Sequence, residues 1–216
     1  MVVRYGLQDR LKIGYIHIQT PRMKVAFALT LIFLSFSGFS QLSDSEVMDL
    51  KTGRRKDDTS YVYWLPYAEK KSFLLIQASN SKMSHRQELS LDFKMKKGSK
   101  ICAVRDGVVI EARGDSDKGG LKEENLADGN YIIIRHPDGS VAKYWHLEKD
   151  GVFVKVGDAV QKGQHIGASG NTGYTAFPHL HFQINDATGR QILTRFYTRR
   201  GIKYLRPGNW YKCVHD

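Results

Sequence analysis

The sequence predicts a mainly β fold built on a twisted antiparallel sheet, and three features of residues 61–216 lead to it. The apolar runs there are of strand length and rich in Val, Ile, Tyr and Phe, side chains that suit a pleated, half-buried surface. Glycine turns punctuate them at Arg105-Asp106-Gly107, Pro137-Asp138-Gly139, Val156-Gly157-Asp158 and Lys162-Gly163. No window sustains apolar residues at helical spacing over an ordinary helix length. Short strands joined by tight turns make antiparallel neighbours, because parallel neighbours need long crossovers.

Taken in order, residues 1–22 mix charge and apolar residues without a period and read as an upstream extension, Met23 being a second candidate start. Residues 23–40 have the layout of a secretory signal peptide: Lys24, the apolar stretch VAFALTLIFLSFSGF, then Gly38 and Ser40 as the small residues before Gln41. The stretch is shorter than the about 20 residues that span a bilayer as a helix. It therefore predicts cleavage after Ser40, export to the periplasm, cell envelope or medium, and no stable membrane insertion of what remains. Residues 41–60 are polar and without a period, and are expected to be a flexible leader. Residues 61–216 then form one domain, with strands expected at 72–78, 100–103, 107–112, 131–136, 141–146, 165–169 and 179–184. Between two of these lies the glycine-rich, acidic insertion GDSDKGGLKEENLADGN, residues 114–130, expected to be a solvated hairpin loop on the rim of a groove.

The chain carries a formal charge of +11. Residues 1–40 hold five of the 33 Lys and Arg and one of the 22 acids, which leaves residues 41–216 at +7. Export and the absence of a nucleic-acid motif exclude nucleic acid as the partner, so the charge fits anionic wall polymers or lipid head groups instead. Cys102 and Cys213 are the only cysteines; their spacing excludes a cysteine metal site. In an exported chain they are either a disulfide or, as the apolar setting of Cys102 allows, buried thiols.

The segment richest in chemistry is 170–184, GNTGYTAFPHLHFQI. Pro178 fixes the chain before a strand in which His179 and His181 share one face while Leu180 and Phe182 share the other. Two imidazoles so placed serve one metal, or a metal and the reacting position beside it. A bare H-x-H is weak, but its setting of glycine turn, proline and strand strengthens it.

With this segment and several others in the same order, the sequence resembles the lysostaphin/LytM-type zinc metallopeptidases over residues 63–184. The motifs are Ser84-His85, Leu91-Asp92-Phe93, Ala103 to Val109, Asn130 to His136, Tyr144-Trp145-His146-Leu147, Val154 to Asp158 with Lys162-Gly163-Gln164, and the H-x-H strand. The resemblance implies a twisted sheet/β-sandwich hybrid with a substrate groove and one Zn2+ held by His85, Asp92 and His181. It also implies that His179 and His146 act on the water and the developing oxyanion, and that the substrate is the peptide cross-link of peptidoglycan, cut by a monomer. Three protein ligands leave a fourth position for water, as hydrolytic zinc requires.

Two departures from the family pattern matter. The usual first motif is H-x-x-x-D, whereas His85 lies seven positions before Asp92, an offset that does not keep both on one strand face. Either a bulge or short loop returns His85 to the metal, or Glu88, four before Asp92, supplies an oxygen ligand. Thr175-Ala176-Phe177 stands where the family has small residues and a glycine, so Phe177 narrows or shapes the groove.

His136 and His165 read as surface residues, Tyr131, Tyr144 and Trp145 as sheet packing, and Tyr174 as a residue of the groove wall. His17 lies in the leader and His215 near the other end of the sequence, and the sequence names no partner for either. Two rival readings are a metal-free relative that activates other wall hydrolases, and a biotin- or lipoyl-carrier module. Lys94-Met95-Lys96 lies too far upstream of the glycine hairpin for the second.

Overall fold

A computed structural model describes residues 43–52, 54, 61–79, 85 and 88–214. The expected signal peptide, the extension before it, His17 and His215 lie outside these residues. Where a flexible leader is expected, Asp44–Thr52 forms a helix, α1. Ser43 and Glu46 make a reciprocal capping box: the Ser43 amide donates to Glu46 Oε2 at 2.8 Å, and the Glu46 amide to Ser43 Oγ at 3.3 Å. Val47 and Leu50 are buried with Leu89 and Leu193. The helix is too short for periodicity to betray it; tertiary burial of two side chains and one cap sustain it.

The strands are β1 (Val62–Tyr63), β2 (Ser72–Gln77), β3 (Leu91–Lys94), β4 (Lys100–Cys102), β5 (Gly107–Arg113), β6 (Gly119–Gly120) and β7 (Asn130–Arg135). They continue with β8 (Val141–Val152), β9 (Ala159–Val160), β10 (His165–Ser169), β11 (Gly173–Tyr174) and β12 (His179–Asn185). The last three are β13 (Arg195–Thr198), β14 (Gly201–Lys203) and β15 (Trp210–Lys212). The principal sheet runs β15-β2-β3-β12-β8-β7-β5-β9, with β10 bridging β8 to β4, and every pairing in it is antiparallel. Each expected strand is present, so the mainly β, antiparallel expectation holds.

Alternation divides the sheet's residues between two faces. Leu75, Phe93, Leu180, Phe182, Tyr144, Ile132 and Ile134 are buried in the core on one side. On the other, Gln77, Asp92, His181, Trp145 and Tyr131 are successive cross-strand partners on β2, β3, β12, β8 and β7. That row carries the polar chemistry, because partners directly opposite one another lie about 5 Å apart at Cβ.

The 114–130 insertion is more ordered than a solvated hairpin loop. It contains β6 and a 3-10 helix at Glu123–Asp128, and β6 pairs in parallel with β11. Asn130 anchors its end: the side chain donates to Ser116 O and Leu147 O and accepts from the Ser116 amide. His136 is not a surface residue. Its ring is buried against Tyr63, with Nδ1 donating to Asp106 O at 2.8 Å, because the turn after β7 folds back on the core. His165 is exposed, as expected.

Candidate metal and hydrolytic site

Asp92 is the centre of the polar face. It is 3% exposed, yet among the described residues no Lys or Arg pairs with it. Its partners are two imidazoles and an amide, His85 Nε2 at 3.1 Å, His181 Nδ1 at 3.0 Å and Gln77 Nε2 at 3.1 Å, and His179 Nε2 stands 3.7 Å away, beyond hydrogen-bond reach. Burial pushes the Asp92 carboxyl up, but the hydrogen bonds from His181 and His85 outweigh it and hold the group well below the usual carboxylate range. Burial pulls His85 down, and its hydrogen bond to Asp92 reverses this, leaving its pKa raised.

Donor atoms of His85, Asp92 and His181 all lie within 4.8 Å of one another. Tetrahedral zinc sets its donors about 3.3–3.6 Å apart, given bonds of about 2.0–2.2 Å. The three side chains therefore fit a metal with small rotations. Two imidazoles and a carboxylate make a donor set suited to zinc. A dication also suits a buried carboxylate that has no Lys or Arg partner among the described residues.

His85 stands before the start of β3, with the Glu88 amide donating to its carbonyl at 3.1 Å. Of the two first-motif alternatives, His85 is the one brought to Asp92 and His181. Glu88 instead accepts from Ser90 Oγ at 3.4 Å and is not in the cluster.

His146 and His179 flank the cluster, their ring centres 4.6 Å apart and that of His146 5.9 Å from His181. His179 follows from strand alternation; His146 does not. Asn130 opposes Leu147 and Tyr131 opposes Trp145, so His146 is the extra residue of a bulge, with φ at +65°. The left-handed backbone turns its ring toward His179, on the same side as its neighbour Trp145.

Each of these two imidazoles gives Nδ1–H to a carbonyl, His146 to Thr172 O at 2.7 Å and His179 to Phe177 O at 2.9 Å. A carbonyl only accepts, so in the neutral ring the lone pair is on Nε2. Burial, with His179 and His181 as like-charged neighbours, lowers His146 to about 3. Burial also lowers His179, against the opposing pull of Asp92. Both rings are neutral proton acceptors at neutral pH.

Sequence reasoning missed the supports: Gln77 on Asp92, and Thr172 with Asn130 around the bulge. Thr172 Oγ1 accepts from the Asn130 amide at 2.9 Å and donates to Leu147 O at 2.6 Å. Gly170 and Gly173 permit this packing. A Cβ on Gly170 would lie 2.3 Å from Glu148 N, and one on Gly173, at φ +83°, 2.8 Å from Gly129 Cα. Asn171-Thr172-Gly173 in the quoted motif was the available signal.

The chain is similar in sequence to known proteins. A profile for Peptidase family M23 matches residues 86–192. An uncharacterized metalloprotease of Buchnera aphidicola subsp. Baizongia pistaciae is 39% identical over 94 residues, 44% of this chain and 22% of that protein. Peptidoglycan DD-endopeptidase ShyA of Vibrio cholerae is 38% identical over 93 residues, 43% of this chain and 19% of that protein. Glycyl-glycine endopeptidase ALE-1 of Staphylococcus capitis is 43% identical over 93 residues, 43% of this chain and 23% of that protein. The chain thus spans about a fifth of the length of these relatives.

Proposed function

Through residues 86–192 this chain belongs to peptidase family M23, and on that premise we propose that it is an exported zinc endopeptidase hydrolysing the peptide cross-links of bacterial peptidoglycan. The observation that carries the reading is the donor set of buried His85 and Asp92 with half-buried His181, flanked by two neutral imidazoles with Nε2 lone pairs. His85, Asp92 and His181 would hold the metal. Zinc, when bound, supplies Lewis acidity that polarises a carbonyl and lowers the pKa of water at its open position to about 7.

The chain's own residues do the rest. Gln77 holds the Asp92 carboxylate in place by hydrogen bonding to Oδ2. The Thr172 and Phe177 carbonyls fix the tautomers of His146 and His179, so that each presents Nε2 to the reacting centre. One of them takes the proton of the attacking water and returns it to the leaving amine. The other, neutral as well, accepts from the same water through its own Nε2 and keeps it oriented, and the ring that has taken the proton can present that Nε2–H to the developing oxyanion before passing it on. The relatives named for peptidoglycan endopeptidase activity support the substrate, and the +7 charge of residues 41–216 suits an anionic wall. Residues 23–40 support export, with residues 41–60 as the leader to a domain of residues 61–216 that acts as a monomer.

The test is metal content together with mass spectrometry of the peptides that the purified protein releases from peptidoglycan, with and without chelator. One zinc per chain and chelator-sensitive release of cross-link peptides are expected. A protein that folds, binds no zinc and releases nothing would be an activator on the same fold, and the reading would fall.

A further inference from the structure

The insertion side of the site carries exposed apolar side chains, its rim. Phe177, two residues before His179, is 40% exposed, and its ring centre lies 5.5 Å from that of His179. Tyr174 in β11 is 46% exposed and pairs in register with Gly120, and Leu121, the residue after Gly120, is 63% exposed. The Thr175 amide, donating to Gly120 O at 3.1 Å, ties the two segments together. The 3-10 helix packed against β11 adds Leu126, 61% exposed. Single exposed apolar residues are ordinary; here four lie on segments that pair or pack with one another, and Phe177 stands beside a candidate proton-transfer group.

Resting on the reading of a peptidoglycan endopeptidase, we propose that this rim selects the kind of cross-link: directly joined stems, in which an alanine meets a diamino acid, over bridges of glycine. The reason is surface chemistry. Glycine offers the rim only peptide groups, which prefer water, whereas an alanine methyl or the methylene chain of a diamino acid can cover Phe177 and Tyr174 and release the water there. One methyl or methylene group recognised by an apolar wall is worth roughly 10- to 200-fold in kcat/KM. The backbone of the same residue has a separate task, since Phe177 O also accepts from Thr175 Oγ1 at 2.9 Å and from His179. Side-chain substitution at 177 therefore leaves the hydrogen bond that orients His179 available.

The experiment compares a directly cross-linked muropeptide dimer with a pentaglycine peptide, using zinc-supplemented protein and the variants Phe177→Ala, Phe177→Leu and Tyr174→Ala, each checked for thermal melting and zinc content. Wild type is expected to favour the muropeptide dimer by at least about 10-fold in kcat/KM. Phe177→Ala should lose most of that preference through KM more than kcat, Tyr174→Ala part of it, and Phe177→Leu should restore it. Equal or better cleavage of pentaglycine, with a ratio that Phe177→Ala does not move, overturns the rim as selector while leaving the hydrolase reading intact. No chelator-sensitive cleavage of either peptide overturns that reading and the selection with it.

Discussion

His179 and His181 are delivered to the site by β12, an unbroken strand paired on both sides, whereas His146 and His85 arrive from backbone that departs from regular structure. On β12 the pleat alone sets direction: the imidazoles take one face and Leu180 and Phe182 the core. At His146 direction comes from a left-handed residue inside a bulge, and that conformation persists only because Thr172, Asn130 and Gly170 hold the bulge on its far side. A regular element needs little besides its own pairing. An irregular one distributes its positioning over loops distant in sequence, and is therefore open to disruption from positions that touch no reacting group.

The largest effect should come from removing a metal donor, whichever kind of backbone presents it. His181→Ala, on the regular strand, and His85→Ala, on the loop, should each lose zinc and, with it, activity, because two remaining donors hold the ion poorly. Glu88→Ala should keep both. Metal analysis of the three purified variants checks this. Zinc retained by His85→Ala and lost by Glu88→Ala would reverse the assignment of the first motif.

Next are the two imidazoles outside the donor set. His179→Ala and His146→Ala should keep zinc while kcat falls by roughly 100- to 10,000-fold each, the usual contribution of a positioned acid–base group. If both act on one step, the double variant should be little worse than either single one. Additive losses in the double-mutant cycle would show independent roles and break the parallel between strand and bulge.

Gly170→Ala tests the bulge without touching an imidazole. The added Cβ would meet Glu148 N at 2.3 Å and Glu148 Cα at 2.4 Å, backbone atoms that cannot swing aside, and the Gly170 amide donates to His146 O. Leu147 and Glu148 must shift, and His146 with them. Expected are a melting temperature lowered by several degrees and a reduced kcat with zinc retained. A variant of unchanged kcat would show that His146 is positioned by Thr172 alone.

What could be read from the sequence follows the same division. The strands, the two-histidine face of β12 and the carboxylate Asp92 rest on period-two alternation, which is local and survives any packing. The seven-residue offset of His85 from Asp92 showed that regularity fails there, and left open whether His85 or Glu88 turns inward. The left-handed φ of His146 has no local signature, for its neighbours Trp145 and Leu147 are ordinary strand residues. Helix α1 escaped because three apolar residues in nine, Val47, Met48 and Leu50, give no sustained period, although the Ser43-x-x-Glu46 capping box was present. His136 looked exposed because it ends a strand before Pro-Asp-Gly; only the fold puts Tyr63 over it.

That buried histidine carries the smallest prediction, one that concerns stability alone. Burial holds the His136 pKa below its ordinary 6.5, the Asp106 carbonyl opposing only in part. Among the described residues its Nε2 has no hydrogen-bond partner, so protonation would bury an N–H with nothing to accept it. The folded chain therefore takes up this proton at lower pH than the unfolded chain does. Below about 6.5 the unfolded state binds more protons, so stability is complete above that pH and declines as pH falls toward the folded pKa. His136→Asn can still donate to the Asp106 carbonyl but does not titrate. Melting curves between pH 7.5 and pH 5, run with chelator so that metal release does not contribute, should fall less steeply for this variant than for wild type. The slope should not vanish, because His146 and His179 are lowered in the same direction and keep their share. An identical slope in both proteins would mean that His136 is hydrated in solution, and that the turn after β7 opens more readily than its packing on Tyr63 implies.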